Sequence, residues 1–403
     1  MALRGKVLHL SENLTLPFDR RVWLELCALR DDGFAVSAIC PTGDGHPERY
    51  EVRDGIHIWR YPAPPPTRGF LSYAWEFIYC WFQTAWLSLI VLWRRGFDII
   101  HAANPPDTFW ALALPYKLFG KRYVFDHHDL CPELYLSRFG ENKEGNLLHR
   151  ALGALEWMQF RTADLVISTN ESYREIAISR GRMPVEKVVV VRSGPSRQRF
   201  ATVLPVDPAL KRGRPFLVSY LGVMAPQDGV DHLLRAAQHL IRERCHDDIS
   251  FTLMGAGDSY EDLRKLATEL DLDRYVQFTG RIPDADVEAI LATSDVCVSP
   301  DPRNPLNDRS TMNKVLEYMA CGRAIVAFDL REHRASAAEG ALYATPNKDQ
   351  DLAARIEELL ADPERRRRMG EFNRHRFLER MAWEHNAGQL TRAYETLWNR
   401  ANG

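Results

Sequence analysis

Short apolar runs separated by helix-length segments recur along the chain, and this recurrence restricts the fold more than any other feature. In the first half they are KVLHL (6–10), AVSAIC (35–40), DIIHA (98–102), RYVFD (122–126), DLVIST (164–169) and VVVVR (188–192). In the second half they are FLVSYLG (216–222), DISFTLMG (248–255), YVQFTG (275–280), DVCVSP (295–300), AIVAF (324–328) and ALYAT (341–345). Strands that are apolar throughout, rather than alternating, must be covered on both faces. Parallel sheets with helices on each side do this. Helical segments fall between the runs, for example 21–30, 70–93, 231–244 and 260–270. Residues 193–215, rich in Pro, Arg and Gly, read as an interdomain connection. A chain of 403 residues is long for one core, so two doubly wound domains in tandem are expected, 1–200 and 201–375.

A formal net charge of −2 gives no reason to expect nucleic acid as a partner. Seven scattered cysteines, none in a CxxC pair, read as thiols in a reducing cytosol, and MALRGKVLHL runs straight into a buried strand without a signal peptide. A cytoplasmic protein is expected. Residues 75–93, WEFIYCWFQTAWLSLIVLW followed by Arg94 and Arg95, complicate that expectation. Trp75, Tyr79, Phe82, Trp86, Leu89 and Trp93 follow helical spacing, and three readings stay open: core packing, an interfacial face on the inner side of a membrane, or a spanning helix.

In open parallel sheets, ligands bind beyond the carboxyl ends of the strands. Four stretches meet that rule. Gly222 to Gly229 (GVMAPQDG) can bring backbone amides close to a ligand, and Gly255 and Gly257 precede a helix. NDRSTMNKVLEYMACGRAIVAFD (307–329) reads as a helix N-capped by Ser310, with Ser310, Asn313, Lys314 and Glu317 forming a polar stripe beside a core patch of Val315, Leu316, Met319 and Ala320. Free amides at 310–313 together with Lys314 suit an anion, and Glu317 suits a ribose diol. DHHDLCPELY places His127, His128, Asp129 and Glu133 at a strand end, where acid–base or hydrogen-bonding work is plausible. Adjacent histidines diverge on an extended chain and no third ligand stands at useful spacing, so no metal is expected.

Taken together, DIIHAANPP, HHDLCPE, ADLVIST, the Gly loop at 216–229, MGAGDSYEDL, VQFTGRIP and KVLEYMACGRAIVAFD resemble family 4 glycosyltransferases, in order, from about residue 6 to residue 400. The resemblance implies the GT-B fold, two Rossmann-like domains with an interdomain cleft, and retaining transfer from a nucleotide-sugar, most often a UDP-sugar. It implies that residues 376–403 form a helix returning to the first domain. By position, Glu317 matches the second glutamate of the E-x7-E motif that holds the ribose. Ser310, Thr311 and Met312 match the amides on the diphosphate, Arg281 and Ile282 the loop beside the base, and His128 the histidine near the transferred sugar.

Three departures accompany this likeness. Arg309 stands where the first glutamate belongs, Met224 and Gln227 replace the usual arginine and lysine, and SENLTLPFDRR replaces the glycine-rich loop. The expected donor site is therefore Gly222, Met224, Gly255, Arg281, Ile282, Arg309, Ser310, Thr311, Met312 and Glu317, with His128, Asp129 and Lys314 catalytic. Asp19, Arg20, Asn104 and Glu133 are expected to face a hydroxyl acceptor, either lipid-linked or a polysaccharide or natural-product precursor. For Asp19, Arg20 and Arg21 ordinary helix capping is the competing reading. No cofactor beyond the nucleotide-sugar is expected. A nucleotide-sugar 2-epimerase and a donor-binding scaffold without turnover are the alternatives.

Overall fold

The structure is a computed structural model describing residues 4–43, 45–64, 70–202 and 204–402, with side chains described for 4–43, 45–64, 75–202 and 204–399. It comprises two compact units, residues 1–193 with 385–403, and residues 194–384. The division falls at Ser193/Gly194 rather than 200/201, and the chain re-enters the first unit at His385 rather than at 376.

In the first unit the strands are β1 (Lys6–Leu10), β2 (Ala35–Pro41), β3 (Tyr50–Arg53), β4 (Ile56–Tyr61), β5 (Ile99–Ala103), β6 (Arg122–His127), β7 (Leu165–Ser168) and β8 (Val188–Val190). They form one sheet in the order β3-β4-β2-β1-β5-β6-β7-β8, parallel except for the β3–β4 pair. That hairpin is absent from the sequence-based expectation. Its two-residue loop is Asp54-Gly55, with both φ positive (49° and 78°), the conformation that matches the twist of paired strands.

The helices of this unit are α1 (Arg20–Asp31), α2 (Phe70–Arg94), α3 (Phe109–Leu118), α4 (Cys131–Phe139), α5 (Leu147–Thr162) and α6 (Glu171–Ser179). Leu8, Ile100, Phe125 and Val166 from the sheet and Cys80, Val91, Phe109 and Phe160 from helices make one core. The sheet reverses direction of growth at β1, which pairs with both β2 and β5. Loops beyond β1 and β5 therefore diverge and leave room for a ligand.

Helix α2 is inverted relative to an ordinary surface helix. Thr84 and Ser88 point inward, and Ser88 Oγ bonds Ala85 O and the Tyr116 hydroxyl. Trp75, Phe82, Trp86 and Trp93 are 61%, 64%, 64% and 85% exposed, beside exposed Ile78 and Leu89. The core-packing reading is thereby overturned for this face, although Tyr79 is half-buried. This is the one described helix long and apolar enough to cross a membrane, by length and composition.

The second unit has β9 (Phe216–Leu221), β10 (Ile249–Met254), β11 (Val276–Gly280), β12 (Val296–Ser299), β13 (Ile325–Phe328) and β14 (Ala341–Ala344), in the order β11-β10-β9-β12-β13-β14, all parallel. Its helices are α7 (Val230–Gln238), α8 (Tyr260–Glu269), α9 (Asp284–Thr293), α10 (Asn313–Ala320), α11 (Arg331–Ala337), α12 (Asp349–Ala361) and α13 (Pro363–Arg376), followed by α14 (Trp383–Asn402), whose residues from His385 belong to the first unit. Val218, Phe251, Val298 and Val326 pack under α7 and α12 on one face, while Leu217, Cys297 and Ile325 meet α9 and α10 on the other. All seven cysteines are free thiols. Cys40, Cys80 and Cys297 are buried, Cys27, Cys131 and Cys321 half-buried, and Cys245 exposed, so burial is incomplete.

Candidate functional site

The second sheet switches direction between β9 and β12, and the loops after these strands and after β10 meet beyond their carboxyl ends. Backbone approaches backbone there. A Cβ added at Gly255, at φ +130°, would stand 1.8 Å from Gly222 O, and one at Gly222 would meet Lys314 Cε at 3.0 Å. Asn307, buried, ties the loops together by donating to Gln227 O at 2.8 Å and Pro302 O at 2.9 Å.

Lys314 is 8% exposed and does not lie on a surface stripe. Its ammonium is 2.5 Å from Asp301 Oδ1 and 3.5 Å from Asp228 Oδ1, over the Tyr220 ring at 5.0 Å. Burial opposes its charge, but Asp301 and then Asp228 outweigh this and push the lysine above its ordinary range. Burial likewise works to raise Asp301, yet Lys314 and His333 hold it well below the usual carboxylate range. Asp228, which burial affects most, ends above that range. Two carboxylates thus neutralise the cation expected to face a diphosphate. A buried ion triad of this kind stays intact only because each charge has its partner.

The helix itself starts later than its sequence suggests. Its N-cap is Met312, not Ser310, whose hydroxyl donates back to Leu306 O at 2.8 Å. The Asn304 carboxamide accepts from Leu306 N and Asn307 N, so residues 304–310 close on themselves as turns and the first helical amides are those of Asn313 and Lys314. Thr311 Oγ1 is 3.4 Å from Glu332, and Met312 is half-buried. Val315, Leu316, Met319 and Ala320 are core, as their spacing predicts. Tyr318 joins them, its hydroxyl accepting from Leu221 N and donating to Val298 O at the switch point.

Glu317 is held at Oε1 by Arg199 Nη1 at 2.7 Å, and the same guanidinium reaches Glu288 at 3.1 Å and Asp284 at 3.7 Å. Arg199 lies inside the stretch read only as a connection, so the sequence reading missed it. Met224, expected in the donor set, has its side chain fully buried in the core. Ile282 packs partly against the core, while Arg281 is exposed and Arg309 half-buried. A cavity of about 660 Å³, lined by Arg323, Arg366 and Arg374, opens at the opposite edge of this sheet, before β12 and β13, away from these residues.

In the first unit the switch point brings together a second polar cluster. His9 on β1 and His101 on β5 are register partners with ring centroids 4.6 Å apart, both fully buried. Arg21 and Glu25 come from α1, Asp126 from β6 and His128 from the turn after it. Arg21 Nη2 lies 3.1 Å from Asp126 and 3.0 Å from Glu25, and its Nη1 donates to Val191 O and Ser193 Oγ. Burial favours neutral Asp126, but His128 and Arg21 overcome it and hold that carboxyl below its usual range, whereas burial and then Asp126 push Glu25 well above its own. Burial pushes His9 and His101 down. Candidate ligand atoms of His9, Glu25 and His101 all lie within 4.8 Å of one another, as do those of Glu25, Asp126 and His128, yet the Arg21 guanidinium already sits against both carboxylates.

Several acceptor assignments change. Asp19 caps α1, accepting from Val22 N at 3.2 Å, so the capping reading holds for it. Arg20 is exposed. Asn104 is buried and fully engaged: Oδ1 accepts from the amides of His128 and Asp129, and Nδ2 donates to Asp107 and Asp129 O. It shapes the His128 turn instead of reaching an acceptor. Glu133 is buried in a bidentate pair with Arg180 at 2.6 and 3.2 Å, a structural role. Asp129 is half-buried, and burial raises its carboxyl despite His128 and His127.

Residues 19–194 match the family described as "Glycosyl transferase 4-like domain", and residues 215–362 match "Glycosyl transferases group 1". An MMP alpha-(1->4)-mannosyltransferase of Mycolicibacterium hassiacum is 29% identical over 256 residues, 62% of this chain and 58% of that protein. A GDP-mannose-dependent alpha-(1-6)-phosphatidylinositol monomannoside mannosyltransferase of Mycolicibacterium smegmatis is 30% identical over 181 residues, 44% of this chain and 47% of that protein. The chain therefore spans 47–58% of the length of these relatives. Sucrose-phosphate synthase from Thermosynechococcus elongatus superposes with a TM-score of 0.80 at 18% identity, over 98% of this chain and 100% of that one. The two matched families, one on each unit, and the shared two-sheet fold show that the chain belongs to the family 4 glycosyltransferases of GT-B architecture.

Proposed function

We propose that this chain transfers a sugar from a nucleotide-sugar to a hydroxyl acceptor with retention at the anomeric carbon, using no metal ion. The observation that carries this is the switch point of the second unit, where the loops after β9 and β10 pack glycine against glycine beside the N-terminus of α10. Amides of Asn313 and Lys314 supply the positive end of the helix for a diphosphate, preorganised donors acting on charge that grows as the bond breaks. Glu317, positioned by Arg199, is the group for the ribose. His128 and Asp129 are the groups for the sugar.

The donor test is a panel of UDP- and GDP-sugars, because the resemblance favours uracil while one relative's name carries GDP-mannose. Binding is read as a rise in melting temperature, and transfer as release of the nucleoside diphosphate only when an acceptor is present. Release without acceptor would replace this reading by epimerisation. Binding with no release under any condition would replace it by a scaffold, the reading that the neutralised Lys314 favours.

A lipid surface is the second partner in this proposal. The outward tryptophans and Phe82 of α2, ended by exposed Arg94 and Arg95, have the composition of an interfacial helix on an anionic bilayer. Exposed Leu118 and Phe119 close α3, which is joined to α2 by the Ser88–Tyr116 bond, and Lys121 in the turn after it reaches Asp98 at 3.5 Å. Sedimentation with phosphatidylglycerol vesicles, lost in Trp86→Ser/Trp93→Ser, is expected. Absence of wild-type binding overturns it.

A further inference from the structure

The cavity before β12 and β13 belongs to no part of the donor site, and its charge is unanswered. It measures about 660 Å³ and is lined by the second unit alone, from the turn after α10, the start of β13 and one face of α13. One side is fixed by backbone. Gly322 and Gly370 meet there, and a Cβ added at Gly370 would stand 2.2 Å from Gly322 O. Val206, Cys321, Ala324 and Leu378 supply an apolar wall.

The carboxylates of the lining already have cations: Asp295 holds Lys211 at 2.7 Å, and Glu371 holds Arg367 at 2.5 Å. His375 faces Glu379 at 3.1 Å. Arg323, Arg366 and Arg374 donate only to backbone carbonyls. Arg323 reaches Cys321 O at 3.1 Å and Ser294 O at 3.4 Å, and Arg366 Nη1 reaches Leu359 O and Leu360 O at 2.6 and 2.5 Å. Arg374 donates to Ala320 O and, at 2.6 Å, to Phe200 O. Capping the ends of α10 and α12 accounts for several of these bonds, but a helix end returns only about half a charge. Arg323 Nη2, Arg366 Nε and Nη2, and Arg374 Nε have no acceptor among the described residues. On the same helix Arg365 and Arg367 each have a carboxylate, Glu358 and Glu364. Burial pulls Arg374 below its ordinary range, and only the Cys321 thiol opposes this.

We infer that this cavity is a second binding site, for a phosphomonoester carrying a compact apolar group. The phosphate takes the guanidiniums of Arg323, Arg366 and Arg374, and the apolar group rests on Val206, Ala324 and Leu378. Planar guanidinium forks match phosphate oxygens in pairs, and a concave surface of one sign gathers anions. The volume suits a small molecule. The inference stands apart from the transferase reading, because the cavity opens at the opposite end of the strands from the start of α10.

The test is titration calorimetry on the full chain without nucleotide, using phenyl phosphate and, as its two halves, inorganic phosphate and phenol. Phenyl phosphate should bind more tightly than inorganic phosphate, phenol should not bind, and added NaCl should weaken both anions. Arg323→Gln should weaken phenyl phosphate by about 10–150-fold, the worth of charged hydrogen bonds. Val206→Glu, at a position 54% exposed on the rim, keeps all three arginines but sets a carboxylate against the phosphate, and should weaken it too. Without ligand both variants should melt with the wild type. A lipid headgroup and a free ester share this chemistry, so the stronger competitor, dihexanoyl phosphatidic acid or glycerophosphate, identifies the source. No binding of phenyl phosphate overturns the inference. Binding that neither variant weakens lies elsewhere, at the start of α10 for instance, and overturns it as well. Should Arg323→Gln fail to fold, Val206→Glu carries the result.

Discussion

Lys314→Met tests the buried triad most directly. Were Lys314 part of a solvated stripe, methionine of similar length would cost almost nothing. In the structure the substitution leaves buried Asp301 and half-buried Asp228 around a missing cation. Removing one partner of a buried pair costs about 3–5 kcal/mol. For a unit of this size that is a fall of about 6–20 °C in melting temperature. The pH dependence gives a second, independent sign. In wild type the depressed Asp301 contributes stability that is present above its unfolded value and is lost only as pH falls well below it. In the variant, burial without Lys314 lifts Asp301 above its unfolded value and Asp228, already above its own, further, so stability is lost as pH rises through the new values. The gap between wild type and variant should therefore be wider at pH 7.5 than at pH 5.5 in calorimetric melts. Lys314→Met/Asp301→Asn should recover part of the loss, the excess over additivity measuring the pair. A gap under about 2 °C at both pH values, or one that widens in acid, refutes the triad.

Glu317→Gln should weaken uridine or guanosine and their diphosphates alike by about 10–150-fold in titration calorimetry, the worth of a charged hydrogen bond, and leave inorganic phosphate unaffected. Glu12, buried after β1 and raised to about 8 by burial and then by Glu76, contributes stability that is full below pH 4.5 and is lost as pH rises toward 8. The chain should lose up to about 1.4 kcal/mol per pH unit across that window, and Glu12→Gln should flatten the curve measured by denaturant titration. EDTA should leave turnover unchanged, and a loss restored by Mg²⁺ or Mn²⁺ would contradict the metal-free reading.

The two sheets were legible because strands such as DIIHA and AIVAF are apolar on both faces, a pattern that tertiary context rarely overrides. The β3–β4 hairpin was legible too, in Asp54-Gly55, but its strands YEVR and IHIWRY lack the apolar run that was sought. The site was read less well, for reasons of distance along the chain. Lys314 follows helical spacing for a stripe until Asp228 and Asp301 are brought to it by the pairing of β9 with β12. Glu133 and Asn104 look available until Arg180 and the His128 turn claim them. Ser310 is a good cap by type, but its hydroxyl turns back to Leu306 O and the helix begins after Met312. His9, Glu25 and His101 gave no signal, since isolated polar residues within apolar runs carry no pattern of their own.

The return of α14 gives this protein an order of assembly. Residues 194–384 are contiguous and can close as soon as they leave the ribosome, whereas the first unit is interrupted by them. Phe34 and His101 wait for Tyr394, and Phe34 also for Trp398. At about 5–20 residues per second, some 10–40 s separate synthesis of Ser193 from that of Tyr394. During that interval the half made first lacks the aromatic side chains that cover its sheet, and the half made second is complete. A nascent chain stalled before α14 should thus show a folded second unit tethered behind an open, chaperone-accessible first unit, so that the end of the molecule decides when its beginning is finished.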